Sequence, residues 1–133
     1  SVGIVGGGLA GLSVARHILR KSAERNMGIT VTVLDREGGP GVGGASAVAG
    51  GLLHPFSPRG KLVHMGREGL EAANDLISSA QTHERGCVLR DRIYRVALTE
   101  ANVVQLKRTA SDHPELATWL SAEDIRRECG AGE

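Results

Sequence analysis

A strand that breaks into glycine and restarts as a helix constrains this chain more than any other feature. Val2-Gly3-Ile4-Val5 is an apolar, β-branched run, and Gly6, Gly8 and Gly11 follow it in the three fixed places of a G-x-G-x-x-G fingerprint, with Gly7 between the first two. Each glycine has its own physical task. At Gly6 the chain turns sharply, at Gly8 the backbone N–H groups can come close to a pyrophosphate, and at Gly11 the next helix can lie tight on the strand. The start of that helix presents unpaired N–H groups and the positive end of its dipole, which together favour an anion without a lysine.

The same pattern arises by accident in glycine-rich chains, so the flanking sequence decides what it means. From Leu9 to Arg25, Leu9, Leu12, Ala15, Ile18 and Leu19 fall on one helical face, while Arg16, Arg20, Lys21, Glu24 and Arg25 fall on the other. That spacing predicts an amphipathic crossover helix. After a break at Asn26-Met27-Gly28, the run Ile29 to Leu34 reads as a second strand and ends on the carboxylate Asp35. Asp35 lies 24 positions after Gly11, near the offset of about 20 at which an acidic side chain meets an adenosine ribose. Strand, glycine turn, helix, strand and acid in this order predict one βαβ half of a Rossmann-like, doubly wound parallel sheet that binds a dinucleotide.

Glycine makes up 19 of the 133 residues, and twelve of them fall in two short stretches, 3–11 and 38–51. This clustering marks backbone that something approaches closely. In the second stretch, Ala45 to Gly51 carries only small side chains before Leu52-Leu53, so a flat ligand can lie on the backbone there. The net charge of +1, with 23% charged residues, argues against a nucleic-acid surface. Arg85, Arg90, Arg92 and Arg95 read as the solvated side of short strands. Cys87 and Cys129 lack the spacing of a metal site and read as buried free thiols, and no metal ligands are assigned. No run of eighteen apolar residues is present, so no membrane-spanning helix is expected.

Further along, His54-Pro55-Phe56-Ser57-Pro58-Arg59-Gly60 is rich in turn residues. Lys61 to His83 returns to helical spacing and predicts a long helix, with Met65 as core filling. Residues 87–90 and 93–98 read as two short strands, which a turn at Asp91-Arg92 would join as a hairpin. Thr99 is placed to cap a helix from Glu100 to about Ser111, and Ser121 with Asp124 resembles a capping box opening a last helix. One βαβ half cannot cover both faces of a doubly wound sheet, so the sequence is expected to be the N-terminal part of a longer protein. A targeting segment could precede it, and its compartment stays open.

With those residues in view, the chain resembles the FAD-dependent oxidoreductases of the D-amino-acid oxidase and glycine oxidase type. The resemblance rests on Val2 to Ala15, on Val31 to Arg36, on Gly44 to Pro55, which is similar to that family's small-residue flavin loop, and on Leu120 to Arg126. It implies a FAD-binding segment over residues 1–86 and the beginning of an α+β substrate-covering domain over 87–133. It further implies that Gly6, Gly7, Gly8 and Gly11 hold the pyrophosphate, that Asp35 binds the adenosine ribose, and that Arg36 flanks the adenine. Ala45, Ser46, Gly50, Gly51 and Leu52 would approach the pyrophosphate, ribityl chain and isoalloxazine, with His54 near the ring. The family more often has Glu where Asp35 stands, and a hydroxyl residue where Ala45 stands.

The activity implied is oxidation of an amine or amino acid by hydride transfer to flavin N5, with oxygen as the acceptor. No catalytic residue is assigned, because the substrate-carboxylate partners of such enzymes lie later in the chain, and residues 1–133 alone are expected not to turn over substrate. Gly50 to Pro55 also resembles the FAD domain of tRNA wobble-uridine modification enzymes, the one reading that would bring in nucleic acid. An NAD-dependent dehydrogenase or a non-catalytic flavin-binding module would share the same βαβ half. The dehydrogenase has no need of the small-residue loop at 44–52.

Overall fold

The computed structural model describes residues 1–39 and 41–130. Its contacts divide between two units, one spanning Ser1–Leu52 and one running on from Leu53. The boundary expected at residue 86 between cofactor-binding and substrate-covering sequence falls inside the second unit, and residues 131–133 lie outside the described residues.

In the first unit, strand β1 (Val2–Val5) pairs in parallel with β2 (Val31–Leu34), with Val2 opposite Val31 and Val5 opposite Leu34. Parallel strands cannot be joined by a tight turn, and here the connection is helix α1 (Leu9–Glu24). The ladder runs one step further at each end, through Val2 N–H to the Thr30 carbonyl at 2.8 Å and Gly6 N–H to the Leu34 carbonyl at 2.7 Å. This is the expected βαβ half. Among the described residues the sheet has these two strands only, so the wider doubly wound sheet is not seen.

On α1, Ala15 is buried at 8% exposure and marks the face laid on the strands, whereas Leu9, Leu12 and Leu19, expected on the same face, are exposed. Val5, at 88% exposure, and Leu34 likewise stand open at the strand ends. The helix stops where the sequence breaks. Asn26 adopts the left-handed conformation at φ 51°, and Met27 N–H reaches back to the Ser22 carbonyl at 2.8 Å. Ser22, buried, donates through Oγ to the Met27 carbonyl and accepts from Ile29 N–H. Those bonds occupy the backbone before β2, so the strand begins at Val31 and not at Ile29. Farther on, the small-residue tract is not a plain loop: Gly44–Val48 forms a short helix, α2.

The second unit opens with a return turn. Phe56 bridges Leu62 antiparallel, Ser57 N–H donates to the Lys61 carbonyl, and Gly60 N–H donates to the Ser57 carbonyl at 2.9 Å. This turn overturns the helix expected from Lys61, because Lys61 and Leu62 are committed to pairing with Ser57 and Phe56. Helix α3 instead spans Gly66–Gln81, entered through Met65, which is left-handed at φ 52° and exposed. Met65 is therefore not core filling. Gly66 is buried, and a Cβ there would stand 3.0 Å from both Leu62 Cδ1 and the Pro55 carbonyl oxygen.

The strands expected at 87–90 and 93–98 are absent among the described residues. Arg85–Cys87 is a 3₁₀ turn capped by the Glu84 carboxylate on Gly86 N–H, and the chain after it is extended without a ladder. Polar side chains hold that stretch instead: Arg92 and Tyr94 bind Glu128, and Arg95 donates to the Ser57 carbonyl at 2.6 Å. Cys87 is exposed, contrary to the expected buried thiol. Helix α4 (Glu100–Asp112) is capped as expected, with Thr99 Oγ1 accepting from Asn102 N–H. Its buried Thr109 donates to the Gly60 carbonyl at 2.8 Å, tying α4 to the return turn. Helix α5 (Ala122–Cys129) opens on the capping box read from Ser121 and Asp124. No described helix is long and apolar enough to cross a membrane.

Candidate functional site

The site grows from the turn between β1 and α1. Gly6 is left-handed at φ +102°, a conformation that L side chains rarely adopt, and it aims the chain away from the strand. A Cβ at Gly11 would collide with the Gly6 carbonyl oxygen and meet Ile4 Cγ2 at 3.4 Å. The third glycine is therefore required by the close approach of α1 to the turn. Gly8 differs, because the space its Cβ would take lies 3.1 Å from Ser46 Oγ, across the first unit.

Helix α1 begins with its N–H groups poorly compensated. Gly8 is the N-cap and supplies no side chain, and no acidic residue lies in the first turn. One side chain reaches in: Ser46 Oγ, from α2, accepts from Leu9 N–H at 3.0 Å. An anion placed there would meet backbone donors, the positive end of a sixteen-residue helix and one hydroxyl, with no carboxylate in that turn to repel it.

Asp35 closes the other side. Its carboxylate accepts from Gly7 N–H and, at 2.9 Å, from Glu37 N–H. These bonds, Gly7 first, hold the Asp35 carboxyl below the usual carboxylate range, so at neutral pH it is an acceptor only. Gly7 is buried, and its carbonyl accepts from Gly41 N–H at 3.2 Å. Both polar groups of the Gly7 backbone are thus spent on the strand end and the second glycine stretch. The Gly41 contact has no signature in the sequence, whereas Ser46 stands out there as the only hydroxyl in 38–51.

The structure thus brings Gly6, Gly7, Gly8, Gly11, Asp35 and Ser46 together. Arg36 turns away and pairs with Glu37 at 3.2 Å. Ala45 lies on α2, and Gly50, Gly51 and Leu52 follow it, exposed, with Gly51 at φ +66°. No hydrogen bond among the described residues ties those four to the glycine turn. His54 belongs to the second unit and is exposed. Among the described residues no group of three His, Cys, Asp or Glu side chains could hold a metal ion.

A helix start that carries one hydroxyl and no acid, a glycine without a Cβ beside it, and an ionised acceptor at the end of the second strand fit the pyrophosphate and ribose of a dinucleotide. The family model described as FAD dependent oxidoreductase matches residues 1–132. No curated protein and no solved structure matches the chain.

Proposed function

The chain belongs to the family of FAD-dependent oxidoreductases, and from that premise we propose that it forms the cofactor-binding part of an oxidase acting on an amine or amino acid. The observation that carries the reading is the meeting of Ser46, Gly8 and Leu9 N–H at the start of α1, with Asp35 at the end of β2. Residues 1–86 would serve the cofactor, and residues from 87 on would begin the cover over the substrate.

Bound FAD would supply a hydride acceptor at N5, so that the substrate C–N bond becomes an imine that water hydrolyses, with oxygen taking the electrons in turn. The chain's own residues bind and orient. Gly6 and Gly8 leave room for the pyrophosphate against the N–H groups of α1, Gly11 lets that helix lie close on the turn, and Ser46 lends its hydroxyl beside Leu9. Asp35, ionised, accepts from the ribose hydroxyls and in doing so exchanges part of its present bond to Gly7 N–H. Ala45, Gly50, Gly51 and Leu52 offer small or flat surface toward the ribityl chain and ring, and Arg36, at 90% side-chain exposure, would leave its pair with Glu37 to lie over an adenine.

A visible absorption spectrum of the purified protein, with mass analysis of what heat releases, tests the first step. A yellow protein that releases FAD is the expected result, and peroxide from an amine or amino acid is expected only where the residues that complete the substrate cover are also present. A colourless protein that gains no flavin on reconstitution would overturn the reading. Turnover confined to modified tRNA would instead favour the wobble-uridine enzymes that Gly50 to Pro55 resembles.

A further inference from the structure

We propose that the second unit carries a binding site for a small carboxylate, built on Arg59 and Arg95. Arg59 and Arg95 line one cleft of about 100 Å³, together with Asn102 and Gln105 from α4. No acidic residue lines it. The only acid in the first turn of α4, Glu100, lies outside the lining.

The side-chain donors of Arg59, Asn102 and Gln105 in this cleft are unspent, while Arg95 gives one N–H to the Ser57 carbonyl. Arg59 makes no hydrogen bond or ion pair among the described residues, and neither do the side-chain amides of Asn102 and Gln105. Arg59 and Arg95 are both exposed and share the cleft without an acidic residue in its lining, so an anion bound there would meet two positive charges and no negative one.

The scaffold is fixed before any ligand arrives. Arg95 is anchored on the Ser57 carbonyl, which also accepts from Gly60 N–H, so the turn that carries Arg59 and the segment that carries Arg95 share one acceptor. Thr109, on the same helix as Asn102 and Gln105, clamps that turn through the Gly60 carbonyl. Three chain segments are thereby held at one place.

A guanidinium's planar fork matches a carboxylate or a phosphate with two parallel bonds, so the rest of the lining decides between them. The rest of the lining, including Val96 and Leu106, is apolar, which suits an anion with a short hydrocarbon end and leaves a phosphate with oxygens facing carbon.

The test is an NMR titration of the purified protein with isobutyrate, following the Nε–Hε signals of its arginines, alongside isobutyramide and inorganic phosphate. Saturable shifts of the Arg59 and Arg95 signals with isobutyrate, and none with the neutral amide, are expected. Arg59→Gln, at a side chain with no structural partner, is expected to weaken binding about tenfold or more with an unchanged melting temperature. Arg59→Lys should recover only part of it. Unchanged affinity in Arg59→Gln, no binding by the native protein, or phosphate binding as tightly as isobutyrate would each overturn the assignment. None of these readouts depends on flavin, so failure here and failure of the oxidase reading are told apart.

Discussion

Ser46 and Leu9 are 37 positions apart, and the serine hydroxyl caps the helix that the leucine begins. The second glycine stretch therefore helps to hold the first, before any cofactor is considered. Ser46→Ala should remove the one side-chain acceptor at that helix start. Loss of a helix cap costs about 1 kcal/mol, so urea unfolding of the cofactor-free protein should show a drop of that size. No measurable drop would mean that water replaces the hydroxyl without penalty.

Gly8 and Gly11 separate two roles that the fingerprint merges. At Gly11 a Cβ meets backbone, the Gly6 carbonyl, which cannot move without dragging β1. Gly11→Ala should cost roughly 1–3 kcal/mol, as overpacking does, and thermal unfolding reads it. At Gly8 the obstacle is the tip of Ser46, which can swing aside. Gly8→Ala should cost no more than about 1 kcal/mol, the value of the cap that Ser46 would give up, and lose flavin affinity, seen as quenched-fluorescence titration of FAD becoming weak or flat.

The βαβ half was legible in the sequence because its signals are local and agree. Val2, Ile4 and Val5 favour a strand, the glycines demand the turn, and Asn26 supplies the left-handed stop. Thr99 and the pair Ser121 and Asp124 were legible for the same reason, since a cap needs only residues three positions apart. Lys61 to Met65 misled because helical spacing there competes with a tertiary bond, the pairing of Phe56 with Leu62, which periodicity does not reveal. The run from Ile93 to Leu98 has strand composition, but a strand needs a neighbour, and Arg92, Tyr94 and Arg95 are held by Glu128 and Ser57 instead. In the site, the spacing located Asp35, while its bond to Gly7 and the link of Gly7 to Gly41 were beyond sequence reasoning, because both are set by how the loops fold back.

Acid should weaken the protein through carboxylates that are engaged when ionised. Asp124 is held below its ordinary value first by the Ser121 hydroxyl, then by Ser121 N–H and Arg127, and Asp35 by Gly7 N–H. A depressed carboxyl contributes stability that is present above its unfolded value and lost as pH falls through its folded value. The loss should therefore set in below about pH 5 and grow toward pH 3. Asp124→Asn cannot titrate, so its melting temperature should fall less steeply over that window than that of the native protein. Parallel slopes would show that the capping box is not coupled to the unfolding that is measured.

Gly60 joins a backbone requirement to a packing requirement. Its φ of +73° is one that L side chains rarely adopt, and a Cβ there would stand 2.6 Å from Thr109 Oγ1, closer than real Cβ contacts come. Thr109 cannot retreat, because it is buried and its hydroxyl already donates to the Gly60 carbonyl. Gly60→Ala should therefore cost about 2 kcal/mol or more, the strain of the left-handed residue adding to the steric one. Pairing it with Thr109→Ala, which removes the hydroxyl that the Cβ would meet, separates the two. If the overlap with Oγ1 dominates, the double variant loses less than the sum of the two single variants, whereas additive losses would place the cost on the left-handed φ. Thermal unfolding of the three variants, read beside arginine signals from Arg59, also reports whether the return turn keeps its place against α4.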